Sequence, residues 1–367
     1  MGEIIPAAFQ PPAWLRSAHL QTMWSTFFRR PEPLSRRRET LPLADGDHLL
    51  LDWAGPAPET GALRVLLLHG LSGCSDSHYI RGTQARLAAL GITSVAMNSR
   101  GAAAPNDTAL CAHAGEIEDL DAVIQALRQR DRHGPLIAMG VSLGGSRVLN
   151  WLARADDGSL SAAVAVCSPL RLDLCANRMD QGLSRIYRRH LISNLLATLK
   201  RQRRHLERVD PAQAKRLAAL NLHGIRSFWT FDERVIAPLY GFRGAAHYYA
   251  EASAGPRLRA IRTPTLMIQA EDDPFMTPAI LPALGELGPG VTLELSSGGG
   301  HVGFVGGRPR HPEFWLEQRL AAFASGFLPV EPAGANSRVS RAPSPPATSS
   351  ATADSGQFQR SAPTRAG

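Results

Sequence analysis

Gly140-Val141-Ser142-Leu143-Gly144-Gly145 places a serine among glycines, between a short apolar run and an amphipathic one. A chain turning sharply from strand to helix needs small residues at 140 and 144, because side chains there would collide. Such a turn lifts the serine hydroxyl to the N-terminus of the following helix, whose N–H groups and dipole can receive negative charge. Further along, Glu271-Asp272-Asp273-Pro274 follows the apolar run TLMIQA, and Gly298-Gly299-Gly300-His301-Val302-Gly303 follows VTLELSS. A carboxylate after the first run could orient an imidazole, and glycines on both sides of His301 would let that imidazole approach Ser142 without obstruction. The order serine, aspartate, histidine is that of a nucleophile, an orienting acid and a general base. Asp273, three residues beyond Ala270, is the favoured acid, and Asp272 is the alternative that bonds loop backbone instead.

Each residue also has a plainer reading. Ser142 could simply cap the helix that follows it. Eleven other histidines, among them His113, His247 and His311, are expected to be ordinary surface or core residues. The joint occurrence of the three segments favours chemistry, and a fourth segment, His69-Gly70-Leu71, adds to it. There the backbone N–H of Leu71, with that of Leu143, could hold an oxyanion, and losing one such donor typically costs about 10² to 10³ in rate. The His69 side chain is expected to bond backbone and tighten its loop.

These residues need a frame, and the chain alternates short apolar runs with longer amphipathic stretches from Val65 to Leu170, as βαβ units of a parallel sheet do. Expected strands are Arg64 to Gly70, Ile92 to Asn98, 135–140, 161–169, Thr265 to Ala270 and Val291 to Ser297. Expected helices are Tyr79 to Leu90, 115–130, 146–155 and, closing the domain, Pro312 to Phe327. Residues Ser35 to Trp53 suggest an antiparallel hairpin through Asp45-Gly46-Asp47. The stretch 171–255 breaks the alternation and reads as a helical cap inserted in a domain spanning 1–330. From 331 to 367, Pro, Ser, Ala and Thr with few large apolar residues predict a disordered tail.

Composition is that of a globular protein, with 44% hydrophobic and 20% charged residues. No window approaches the ~18 consecutive apolar residues of a membrane span, and the start lacks a basic segment followed by an apolar one. Pro6 stands where a myristoylation signal at Gly2 needs Ser or Thr. Cys74, Cys111, Cys167 and Cys175 show neither paired nor metal-finger spacing, which fits reduced thiols in a cytoplasmic protein. The formal charge of +8 is weak evidence for a nucleic-acid partner, since Lys200 and Lys215 are the only lysines and the excess is a bias toward arginine. Tyr187, Leu191, Leu195 and Leu199 recur at helical spacing, widened by Ile192 and Leu196 and surrounded by arginines. The stripe is expected to pack internally and line a pocket, with peripheral contact with an anionic membrane as the alternative.

Taken together, His19-Leu20-Gln21-Thr22, His69-Gly70-Leu71-Ser72-Gly73, Asn98-Ser99-Arg100-Gly101, the segment around Ser142, Asp272-Asp273-Pro274-Phe275 and Gly299-Gly300-His301-Val302-Gly303-Phe304 resemble the YheT-like, ABHD-type branch of the α/β-hydrolases. The likeness spans residues 10 to 327. It implies the α/β-hydrolase fold, a mostly parallel central sheet flanked by helices with a helical cap. It also implies a carboxylesterase or lipase with Ser142, Asp273 and His301 as catalytic triad, Leu71 and Leu143 as oxyanion donors, no metal and no organic cofactor. The implied substrate is a small-molecule ester, short-to-medium acyl or a monoacylglycerol. His19 to Thr22 have no mechanism readable from sequence and are taken as structural, and Arg100-Gly101 is expected to shape a loop beside the site. Met179 to Arg216 depart from the family in their arginine content. An acyltransferase, whose acyl-enzyme is released by an alcohol, would use the same residues, and a non-catalytic lipid-binding member of the fold would usually have lost one of them. Oligomeric state is not readable.

Overall fold

The structure, a computed structural model, describes residues 2–30 and 33–328. The Pro- and Ser-rich stretch 331–367 lies outside the described residues.

Nine strands form one sheet: β1 (Glu3–Pro6), β2 (Arg37–Pro42), β3 (His48–Ala54), β4 (Arg64–Leu68), β5 (Thr93–Asn98), β6 (Leu136–Val141), β7 (Ala162–Val166), β8 (Thr265–Ala270) and β9 (Val291–Ser296), in the order β1-β9-β8-β7-β6-β4-β5-β3-β2. From β1 to β5 neighbours run parallel, while β3 pairs antiparallel with β5 and with β2. Every residue of β4 to β8 is buried. Strands covered on both faces are mostly apolar, which is why these five appear in the sequence as short apolar runs, with polar residues such as Arg64, Asn98 and Gln269 buried among them. The expected hairpin is β2–β3, turning at Gly46 with φ 84°.

The helices are α1 (Ala18–Phe28), α2 (His78–Ala89), α3 (Glu118–Arg130), α4 (Leu143–Arg154), α5 (Leu172–Met179), α6 (Ser184–Val209), α7 (Pro211–Ala218), α8 (Phe228–Phe231), α9 (Ala237–Tyr240), α10 (Ala245–Ala252) and α11 (Trp315–Ser325), with a π-helical turn over Asp232–Ile236. Helix α11 is shorter than expected. Residues 312–314 belong instead to a second, two-stranded sheet, β10 (Val305–Arg308) with β11 (His311–Phe314), in which Gly307 of β10 has φ 69°.

Between β7 and β8, helices α5 to α10 build a small core of their own around Ile192, Leu206, Phe231, Val235 and Tyr248, separate from the core of the sheet. Local chemistry fixes the break after α6: Asp210 accepts from the N–H groups of Ala212 and Gln213, and Pro211 begins α7. Of the oily stripe on α6, Leu191, Leu195 and Leu199 turn inward and line a cavity.

The parallel strands deliver their C-terminal ends to one edge, where ligands of open α/β sheets bind. Here β4 ends before His69, β6 before Ser142, β8 before Asp272 and β9 before the His301 loop. Beside them the loop after β5 is pinned by Arg100, which donates to Asp119 at 2.9 Å, Asp47 at 2.9 Å and Asp45 at 2.6 Å.

Candidate active site

Ser142 stands between β6 and α4 with φ 54°, ψ −118°, a conformation costly for a residue with a Cβ. The turn closes only because its neighbours are glycine. A Cβ on Gly140 would strike the Gly144 carbonyl oxygen, and one on Gly144 would come within 2.6 Å of the Leu68 oxygen. The Ser142 side chain does not cap α4. Its Oγ instead lies 3.0 Å from Nε2 of His301.

The opposite ring nitrogen of His301, Nδ1, lies 2.8 Å from Oδ2 of Asp273. Facing a carboxylate, Nδ1 carries the proton, which leaves Nε2 as acceptor for the serine hydroxyl. The other oxygen of Asp273 accepts from the Phe275 N–H at 2.8 Å, so this carboxylate cannot rotate away. Asp272 turns the other way and accepts from the Gly300 N–H at 2.8 Å. The two adjacent aspartates therefore divide the work, Asp273 on the imidazole and Asp272 on the backbone of its loop. Phe275 also stacks on the imidazole, centroids 4.0 Å apart and planes 12° from parallel.

The segment His19 to Thr22, opaque in the sequence, lies on α1 against the His301 loop. Thr22 Oγ1 accepts from the His301 N–H at 2.9 Å. Gln21, fully buried, donates to the Val305 oxygen at 2.9 Å and accepts from the Val305 N–H at 2.8 Å. A Cβ on Gly300 would meet Ala18 backbone, and one on Gly303 would come within 2.5 Å of the Gln21 oxygen, so these glycines permit the close approach of helix and loop. Thr22, Gln21 and Phe275 were visible as motif residues, but no spacing rule assigned them a partner.

Leu71 and Leu143 line the same cavity as Ser142 and His301. Neither of their backbone N–H groups is spent on an acceptor among the described residues. His69, behind them, donates from Nδ1 to the Gly70 oxygen at 2.8 Å and accepts at Nε2 from the Ser99 N–H at 3.1 Å. Burial, with Arg147 nearby, lowers its pKa to about 4, so it serves as a neutral brace between two loops.

The cavity measures about 400 Å³, within the range of small-molecule sites. One side is the strand edge; the other is apolar wall from the helical segment, interrupted by Asp232. Asp232 Oδ2 accepts from the Tyr249 hydroxyl at 2.6 Å, and burial raises its carboxyl to about 7.

Two clusters among the described residues bring three potential metal-ligand atoms within 4.8 Å of one another: Cys167 with Asp273 and His301, and Asp47 with His48 and Asp107. Neither suits a metal. Both His301 nitrogens are engaged as above, and burial, reinforced by Asp273, drives the Cys167 thiol up and keeps it protonated. Asp47 is occupied by Thr108, Asn106 and Arg100.

A family model of the α/β-hydrolase fold matches residues 64–307, well over half of the chain. YheT of Escherichia coli (strain K12), provisionally named an esterase, is 35% identical over 325 residues, spanning 88% of this chain and 94% of that protein. Phospholipase ABHD3 of Homo sapiens is 28% identical over 89% of this chain and 80% of its own length. Among solved structures, the α/β-hydrolase GrgF from Penicillium sp. sh18 superposes with a TM-score of 0.52 at 17% identity, covering 80% of this chain and 99% of that one, a likeness of fold. Among the described residues no helix is long and apolar enough to cross a membrane. With a parallel sheet presenting a serine elbow at its C-terminal edge and relatives aligned across nearly its whole described length, the chain belongs to the α/β-hydrolase family, among its esterase- and lipase-type members.

Proposed function

We propose that the protein hydrolyses short-to-medium-chain carboxylic esters or monoacylglycerols through an acyl-enzyme formed on Ser142. The observation that carries this reading is the chain of contacts from Ser142 Oγ to His301 Nε2, 3.0 Å, and from His301 Nδ1 to Asp273, 2.8 Å, inside a largely apolar cavity. His301 takes the hydroxyl proton as Ser142 Oγ attacks the ester carbonyl, and the Leu71 and Leu143 N–H groups receive the developing oxyanion. Asp273 stabilises the imidazolium without taking its proton. His301 then returns the proton to the leaving alcohol, and water attacks the acyl-enzyme by the same route in reverse. Residues 171–255 act as a cap whose inward leucines hold the acyl chain. Four unpaired thiols fit work in the cytoplasm.

The test is labelling with a fluorophosphonate, followed by p-nitrophenyl esters of increasing acyl length. Ser142→Ala is expected to abolish labelling and to lower kcat by at least about 10⁵-fold. Full esterase activity in that variant would refute the assignment, and absence of labelling in folded wild type would favour a non-catalytic lipid binder.

A further inference from the structure

Soluble proteins bury large apolar side chains where they can, and a contiguous exposed set of them marks an interaction site. Among the described residues, the five most exposed large apolar side chains gather on two neighbouring segments. Helix α1 presents Leu20, Phe27 and Phe28, which are 56%, 65% and 68% exposed, and the start of α6 contributes Leu183 and Ile186, at 59% and 62%. They rim a depression of about 310 Å³ with Trp24 in its wall. The two polar side chains in that wall, His19 and Tyr187, hydrogen-bond to each other through Nδ1 and the hydroxyl at 3.0 Å.

Along the two segments that carry this patch the charge is mostly positive, with Asp180, paired to Arg188, just ahead of Leu183. No Asp or Glu occurs from residue 4 to 31, nor from 181 to 206, whereas Arg16, Arg30, Arg185 and Arg189 are exposed beside the apolar residues. An apolar face flanked by these exposed arginines complements an anionic lipid surface: the side chains enter the acyl boundary and the guanidinium groups meet phosphates. Of the stripe that the sequence suggested for lipid contact, Tyr187 reaches this patch, while Leu191, Leu195 and Leu199 face the cavity.

The patch also adjoins the site. Opposite Leu20 and Phe27, α1 gives Thr22 and Thr26 to the cavity lining, and α6 continues from Ile186 to the inward leucines. A run of rings joins the two regions, with centroid spacings of 5.7 Å from His19 to Tyr187, 5.0 Å from Tyr187 to Phe275 and 4.0 Å from Phe275 to His301.

We propose that the face formed by Leu20, Phe27, Phe28, Leu183 and Ile186 docks on an anionic phospholipid bilayer, setting the mouth of the cavity against the membrane. The docking stands apart from catalysis; only the delivery of lipid esters rests on the hydrolase reading.

The experiment is co-sedimentation of the full chain with unilamellar vesicles of equimolar phosphatidylcholine and phosphatidylglycerol, beside vesicles of phosphatidylcholine alone. Wild type is expected to sediment with the anionic vesicles and to be released by high salt. The double variant Phe27→Ser/Phe28→Ser, altered only at exposed positions, should lose at least about tenfold in binding. It should keep wild-type turnover of a water-soluble p-nitrophenyl ester, which shows that it is folded. Ser142→Ala should bind like wild type, so that loss of catalysis and loss of docking are read separately. Failure of wild type to bind anionic vesicles would overturn the proposal, as would equal binding by the double variant. A dimer in light scattering that the double variant abolishes, without vesicle binding by wild type, would assign the patch to a second copy instead.

Discussion

The two sides of the cavity are built on opposite polar principles. On the strand edge every carboxylate near the chemistry has firm partners: Asp273 holds His301 and the Phe275 N–H, and Asp272 holds the Gly300 N–H. On the helical side Asp232 is just as buried, yet its one partner among the described residues is the Tyr249 hydroxyl. Partnered by a ring nitrogen and a backbone N–H, Asp273 is equipped to face an imidazolium; Asp232 is held in surroundings that favour its neutral form. The strand edge fixes charges in place, and the helical wall supplies shape.

The largest effect that tests this contrast lies within the strand edge. Asp273→Asn should lower kcat by about 10⁴, because an amide at that point favours the wrong imidazole tautomer. Asp272→Asn keeps an oxygen for the Gly300 N–H and should cost less than about tenfold. Steady-state kinetics on one p-nitrophenyl ester compares them, and a reversed order would exchange their roles.

The same contrast explains what could be read from the sequence. Strands β4 to β8 announced themselves because burial on both faces fills them mostly with apolar side chains, so that each reads as a short apolar run. Ser142 and His301 were legible because the elbow and the loop demand glycines at fixed offsets, and those demands are local. Strand β1 was not legible: only four residues long and largely exposed, it owes its place to backbone pairing with β9. The hairpin β10–β11 escaped notice because its strands are four residues each and carry Gly306, Gly307 and Pro312 in place of an alternating apolar pattern. Asp232 sits on a π-helical turn whose approach to the cavity depends on how the helices pack, which no periodicity encodes.

A smaller effect, read in stability, tests the helical wall. Burial pushes the Asp232 carboxyl up to about 7 in the fold, from 3.8 for an unperturbed aspartate. Between these values the folded state holds a proton that the unfolded chain has released, so stability falls as pH rises from about 4 to 7 and stays low above that. Asp232→Asn can still accept from Tyr249 and removes this loss. It should stabilise the protein by on the order of 2 kcal/mol at pH 8, with a smaller gain at pH 5. Thermal unfolding at the two pH values measures the difference, and an equal gain at both would mean that the wall tolerates charge as readily as the strand edge does.

The smallest effect concerns how far the strand edge depends on support from outside the sheet. Thr22 on α1 donates to the Ala18 oxygen at 2.8 Å and accepts from the His301 N–H at 2.9 Å, and it touches neither Ser142 nor Asp273 through a hydrogen bond. Thr22→Val preserves the shape but strands the His301 N–H, at a cost of about 1 to 3 kcal/mol. Part of that cost falls on the fold and part on the orientation of the imidazole. We expect kcat to drop about tenfold with KM changed by much less, since valine keeps the shape that Thr22 gives to the cavity lining and the main effect is on the geometry of proton transfer. Thr22→Ser, which keeps the oxygen, should restore turnover. A valine variant with wild-type kcat would reduce Thr22 to packing. A fall in kcat rescued by serine would make the segment His19 to Thr22 a brace for the general base, which explains why a helix outside the sheet carries residues so closely fitted to the His301 loop.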